Sequence, residues 1–212
     1  RYKGEIQYFP NWADHLIEKK SDIKKVDIHV PKDHKIIMYT GNIGYAQNFD
    51  QILKLCFRTI NKKIYWVFVG DGRFKYKLSQ TIENNPKLKI KLINSVKVDL
   101  IKSYIDLSDF TLLSLSSNGV FNKTVPAKLQ TYMCLSKPVI GMISGEAKDI
   151  IKNSNCGIII DSSKIEESVK KIIEMVNFDE SRINLFGKNG KKYYDKHFNS
   201  RLRKNEIKKI IR

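Results

Sequence analysis

Cations and glycines, set where the chain must turn, are the groups in this sequence best suited to meeting an anionic ligand. In Thr124, Val125, Pro126, Ala127, Lys128, the proline fits the first position of a helix, where its missing N–H costs nothing. A helix starting there presents free N–H groups and the positive end of its dipole. Lys128 adds a charge at the end of the helix that disfavours it, and a bound anion would offset that cost. The alternative is a lysine reaching into solvent at a small dipole penalty. Upstream, Gly41 and Gly44 bracket Asn42 and Ile43. Such a turn can bring backbone N–H groups against a phosphate, although the same pattern also serves a plain turn. Gly70 and Gly72 flank Asp71, where glycine permits close approach of backbone. Arg73 beside them carries a guanidinium either to a ligand or to solvent.

The common catalytic constellations are not written into these loops. Ser114, Ser116, Ser117 and Asn118 supply polar groups, but no histidine accompanies them to activate a hydroxyl. His15, His29, His34 and His197 lie towards the two ends of the chain, without metal-ligand spacing to Cys56, Cys134 or Cys156. Neither a Ser-His-Asp site nor a metal centre is expected. Each cysteine stands among apolar neighbours and is expected to be a buried free thiol in a reducing compartment. Neither the dinucleotide fingerprint G-x-G-x-x-G nor the phosphate loop G-x-x-x-x-G-K-[ST] occurs, and no resident cofactor is expected.

Six short, β-rich apolar runs must hold the loops: KIIMYT (35–40), IYWVFVG (64–70), LKIKLI (88–93), FTLLSL (110–115), PVIGMI (138–143) and GIIID (157–161). Each is followed by a helix-period segment, beginning near Gln47, Phe74, Val98, Pro126, Glu146 and Ser163, with Asp99, Glu146 and Ser163 as acidic or capping residues. That alternation predicts an α/β fold, a doubly wound Rossmann-like parallel sheet of about six strands. Right-handed crossovers then place the ligand crevice beyond the carboxyl ends of the strands, at the topological switch. Two further helices, around 182–197 and 201–211, close the chain. At 212 residues the length fits one domain over 1–212, with no internal repeat or linker. No apolar run approaches the roughly 18–20 residues of a membrane-spanning helix, so a soluble chain is expected. It opens RYKGEIQYFP, without Met or an export signal, and reads as cut from something longer. Thirty-nine Lys and Arg against 22 Asp and Glu give a net charge of +17, which should draw polyanions or phosphorylated ligands. A compositional bias towards Lys, Ile and Asn explains the excess equally well, since the lysines form no single block.

Taken in order, these segments resemble the C-terminal nucleotide-sugar domain of family 4 glycosyltransferases, retaining enzymes of the GT-B fold. The resemblance runs through YFPNWAD (8–14), GNIGYAQNFDQIL, WVFVGDGR, LIKSYIDLSDFTLLSLS, VPAKLQTYMCLSKPVIGMISGEAKDIIKNSNCGIII and GKNGKKYYDKHF. The VPAKLQTY form looks most like bacterial N-acetylfucosamine or similar amino-deoxysugar transferases of surface-polysaccharide pathways. The resemblance implies an NDP-sugar donor, usually a UDP-sugar, and transfer with retained anomeric configuration and no obligatory metal. By resemblance, Gly41, Asn42 and Gly44 and the segment Thr124, Val125, Pro126 to Lys128 hold the diphosphate. Ser95, Val96 and Lys97 flank the base, and Glu146 and Ala147 lie near the donor sugar. The partner would be an N-terminal acceptor-binding domain of the same full-length chain; alone, this domain is expected to bind donor and transfer little sugar.

The sequence departs from the family pattern in its charges. An Arg and a Lys usual in the first loop are replaced by Asn42 and Gln47. Lys128, Arg73 and Lys123 are therefore the candidate catalytic cations for a leaving diphosphate that gains negative charge. Paired glutamates are replaced by Lys123 and Thr131, which leaves Thr131 or Gln130 to bond the ribose hydroxyls. From Gly187 onward ten Lys and Arg face two acidic residues. Such a tail suits the anionic inner face of a membrane carrying a lipid-linked acceptor, with a cytoplasmic location; a solvated helix accounts for it equally. Two rival functions remain: a dinucleotide-dependent oxidoreductase, which lacks the glycine fingerprint, and a basic nucleic-acid-binding module. No nucleic acid is expected, because the aromatics fall mostly in apolar segments suited to a core.

Overall fold

In a computed structural model of the chain, the structure describes residues 10–13, 26, 28–117 and 123–210. Tyr8, Phe9 and Asp14 of the opening YFPNWAD segment, His15, and Asn118 with the four residues after it lie outside the described residues.

Six parallel strands form one sheet in the order β3-β2-β1-β4-β5-β6. They are β1 (Lys35–Thr40), β2 (Ile64–Val69), β3 (Ile90–Ile93), β4 (Phe110–Ser114), β5 (Val139–Met142) and β6 (Gly157–Ile159). The helices between them are α1 (Phe49–Arg58), α2 (Lys75–Glu83), α3 (Val98–Asp106), α4 (Ala127–Cys134), α5 (Glu146–Ser154) and α6 (Ile165–Val176), followed by α7 (Glu180–His197) and α8 (Ser200–Ile210). Alternate residues of the strands serve opposite faces. Ile37, Tyr39, Phe68, Phe110, Leu112 and Ile140 join one core with Phe49, Ile172 and Met175 from α1 and α6. On the other face Leu113 and Val139 meet Leu129, Tyr132, Met133 and Ile151 from α4 and α5, while Met38, Val67 and Val69 pack together beside Val96. Burial on both faces is why these strands read as near-continuous apolar runs. Cys56, Cys134 and Cys156 are free and buried; burial pushes the Cys156 thiol up to about 11. Among the described residues no helix is long and apolar enough to cross a membrane.

The chain reverses its winding between β1 and β4. β1 pairs with β2 along its whole length, yet meets β4 only through Ile37–Phe110 and Met38–Thr111. Beyond that point the Thr40 N–H donates to Tyr132 Oη of α4 at 3.3 Å. Neighbouring strands whose helices leave to opposite faces open a crevice at their carboxyl ends.

Four helix starts differ from the sequence expectation. Ser163 does not cap α6: its N–H and hydroxyl both donate to Asp161 Oδ1, at 2.8 and 2.7 Å, so the helix begins two residues later. The segment expected to become helical at Gln47 is a 3-10 turn, Tyr45–Gln47, closed by Asn48 at φ 55°, a left-handed conformation that Asn tolerates. Pro126 is extended (φ −63°, ψ 135°) and stands just before α4, not at its first helical position. α7 starts ahead of Arg182, because Asp179 caps it by accepting from the Arg182 N–H at 2.8 Å.

Candidate functional site

Two loops lie flat against each other at the ends of β1 and β2. The Gly41 N–H donates to Val69 O at 2.8 Å, Ile43 N–H to Asp71 O at 2.7 Å, and Phe74 N–H to Ile43 O at 2.9 Å. A Cβ on Gly70 would sit 1.8 Å from Gly41 O, and one on Gly72 2.3 Å from Ile43 O. These glycines serve close backbone approach, as the sequence suggested. The first loop is also tied to the end of β4: Ser114 Oγ donates to Gln47 O and Ser116 N–H to Ala46 O, both at 2.7 Å. Ser114 therefore works as a tether.

Lys128 reaches this turn from the first turn of α4. Its Nζ donates to Tyr39 Oη at 2.5 Å and stands 4.2 Å from the centre of the Tyr39 ring. Its stem crosses Gly41 so closely that a Cβ there would lie 2.6 Å from Lys128 Cε. Burial without an acidic partner among the described residues lowers the Lys128 ammonium from its ordinary 10.5 to about 8. The start of α4 and the turn after β1 thus converge on one rim. Asn42 and Gln47, standing where cations were expected, bond to each other, Asn42 Nδ2 donating to Gln47 Oε1 at 3.0 Å.

The other predicted residues differ in exposure and in what they bond to. Arg73 is exposed directly after Gly72, whose Cα faces Asn42 Oδ1. Lys123 and Thr124 are exposed on the approach to α4, and Val125 and Pro126 are partly covered. Thr131 donates to Ala127 O at 3.1 Å, back along its own helix. Gln130 is 1 % exposed, turned into the protein, and its Oε1 has no partner among the described residues. Ser95 and Lys97 are exposed ahead of α3, whereas Val96 packs beside Met38 and Val67. Glu146 opens α5 and lines a cavity of about 180 Å³ with Tyr193, His197 and Arg203, while Ala147 is buried. A further cavity of about 240 Å³ lies at the ends of β4, β5 and β6, with Ser117, Ser144, Lys148 and Asp161 in its wall. Sequence reasoning passed over Tyr39. Its only signal was a tyrosine two residues before the turn glycine in an otherwise buried strand.

Chemically, the rim offers an unneutralised ammonium, first-turn amides of a helix and the backbone of a glycine turn, a set suited to an anion.

Comparison with known proteins agrees with this architecture. Residues 20–193 match the family described as Glycosyl transferases group 1. A putative colanic acid biosynthesis glycosyl transferase, WcaI of Escherichia coli, is 22% identical over 135 residues, which are 61% of this chain and 33% of that protein. The chain spans only 33%, 39% and 41% of the lengths of three curated relatives it matches. Among solved structures, the C-terminal domain of a glycosyl transferase group 1 family protein (LpcC) from Francisella tularensis superposes with TM-score 0.63 at 17% identity, covering 77% of this chain and 86% of that one. The pneumococcal O-GlcNAc transferase GtfA in complex with UDP and GlcNAc gives TM-score 0.67 at 13% identity, covering 85% and 36%. With more than three quarters of its residues inside the family match and the same winding in solved members, the chain belongs to the group 1 glycosyl transferases.

Proposed function

We propose that this chain is the donor-binding half of a retaining GT-B glycosyltransferase. It holds an NDP-sugar, a UDP-sugar in the simplest reading, for transfer of a hexose or amino-deoxysugar to a lipid-linked or polysaccharide acceptor in bacterial cell-surface glycan synthesis. An N-terminal domain of the same protein binds the acceptor, and the enzyme works in the cytoplasm, with the basic α7–α8 end against the anionic inner membrane face. The observation carrying this reading is the half-buried Lys128 ammonium, which has no acidic partner among the described residues and lies across Gly41. A diphosphate at that point would supply the missing countercharge. As the bond between the anomeric carbon and the diphosphate oxygen breaks, charge gathers on the leaving group, and a cation already in place lowers that barrier. Support for UDP comes from the fold neighbour solved with UDP and GlcNAc.

Calorimetric titration with UDP, GDP, ADP and NADH tests the reading. UDP should bind and NADH should not. Lys128→Ala should weaken UDP roughly 10- to 100-fold, the range for losing a hydrogen bond to a charged group, with its thermal unfolding still cooperative. Unchanged affinity would remove Lys128 from the site.

A further inference from the structure

The hydroxyl of Tyr39 lies between the two halves of the candidate diphosphate site. It donates to Asn42 O at 2.5 Å and meets Lys128 Nζ at 2.5 Å. A phenol carries one proton, so with that proton committed to the Asn42 carbonyl the oxygen must accept from the ammonium. We propose that Tyr39 is the positioning residue of this site, its hydroxyl fastening the Lys128 ammonium and the Gly41–Gly44 turn into one preformed anion cradle. The proposal rests on the donor-site reading above.

A carboxylate in the place of Tyr39 would hold the lysine more firmly, but it would neutralise the cation and repel a diphosphate. The phenol orients the ammonium through a lone pair and its ring face and leaves both the charge and the remaining N–H donors for a ligand. Burial pushes the Tyr39 hydroxyl upward, so it stays neutral across the working range. The ring is itself fixed, with Phe49 edge-on at 5.1 Å. Ordering a four-carbon stem before the ligand arrives spares rotamer entropy on binding. The titratable and charged groups around the ammonium are few. β1 contributes Tyr39 and α4 contributes Tyr132, whose Oη is engaged with Thr40; the loop after β2 carries Asp71, which is taken up by the Gly72 N–H and Lys75 Nζ, and Arg73, which is exposed. Among the described residues no carboxylate pairs with it.

Tyr39→Phe keeps the ring and removes only the oxygen. UDP affinity would be measured by calorimetry from pH 7 to 9, where the terminal phosphate of the nucleotide is largely ionised. In the parent chain affinity should fall as pH rises through about 8, where Lys128 loses its proton. Tyr39→Phe should bind UDP about three- to tenfold more weakly at pH 7. It should also lose affinity at lower pH than the parent, because the ammonium has lost an acceptor. In a Lys128→Ala background the same substitution should have a clearly smaller effect, since the two residues act as a unit. Parent-like affinity and pH midpoint in Tyr39→Phe would overturn the proposal. So would an equal loss in both backgrounds, which would assign the tyrosine to the turn alone. No UDP binding by the parent, or none lost in Lys128→Ala, would instead bring down the donor-site reading and this proposal with it.

Discussion

Lys128 sits where a charge is costly without a ligand, and that cost has a sign that can be measured. Its ammonium is lowered from 10.5 to about 8, so folding disfavours the charged form. Below about pH 8 the folded and unfolded chains both hold the proton, and the penalty is present in full. Between about pH 8 and 10.5 the folded chain releases the proton while the unfolded chain keeps it, so stability rises with pH. Lys128→Met should therefore stabilise the ligand-free protein at pH 7 by on the order of 1–3 kcal/mol, allowing for partial exposure. The gain should shrink as pH approaches 10.5, and UDP binding should weaken in the same variant. Urea unfolding at pH 7 and pH 10 measures the first effect; lower stability of Lys128→Met at pH 7 would contradict it. The position of Lys128 was legible in the sequence, because a cation beside a helix-starting proline stands at the wrong end of a dipole. Tyr39 was not, since a strand tyrosine gives no sign of where its hydroxyl ends until the opposing helix is in place. Gln130 and Thr131 were equivalent as hydrogen-bonding types, and only burial separates them: Gln130 is 1 % exposed.

At the scale of elements, glycine marks where segments touch. Gly187 and Gly190 lie inside α7, where alanine would ordinarily be favoured by about 1 kcal/mol. Here the neighbours reverse that preference. A Cβ on Gly187 would stand 2.1 Å from Ser136 O, and one on Gly190 3.1 Å from Cys156 Cβ, so both residues let α7 lie against the turn after α4 and the start of β6. Gly187→Ala must lift the helix off a backbone oxygen and should cost about 2–4 kcal/mol. Because the contact is at the C-terminal end of α4, UDP affinity of the folded protein should change little. A melting temperature equal to the parent's would refute the close packing. Gly70→Ala makes the opposite pairing of effects: with Gly41 O only 1.8 Å away, the turn beneath Lys128 must move, so nucleotide binding should fall together with stability. The strands were legible to within two residues because each is a short apolar run between turn residues. The helix starts were less so, because Asp161 and Asn48 take up local hydrogen bonds or backbone conformations that compete with a helix.

For the whole molecule, the doubly wound order followed from the alternation of runs and helices together with the handedness of crossovers, and the sheet order β3-β2-β1-β4-β5-β6 places the crevice where that order reverses. What the alternation could not supply was the far side of the crevice. The described loops after β1, β2 and β4 form one wall, built on one sheet. A group-transfer reaction gains roughly 7–11 kcal/mol when both reactants are held in near-attack geometry, and a single wall can order only one of them. The chain also spans 33–41% of the lengths of its curated relatives. If the acceptor domain proposed above supplies the second wall, this chain alone should bind UDP yet move radiolabelled sugar from donor to acceptor at a rate lower by about 10⁵-fold or more than the two domains together. Mutating Lys128 should affect both binding and the residual rate, whereas an acceptor supplied at high concentration should raise the rate without changing UDP affinity. Full turnover by the chain alone would mean that the acceptor is oriented by this sheet as well, and the division of labour between two domains would have to be given up.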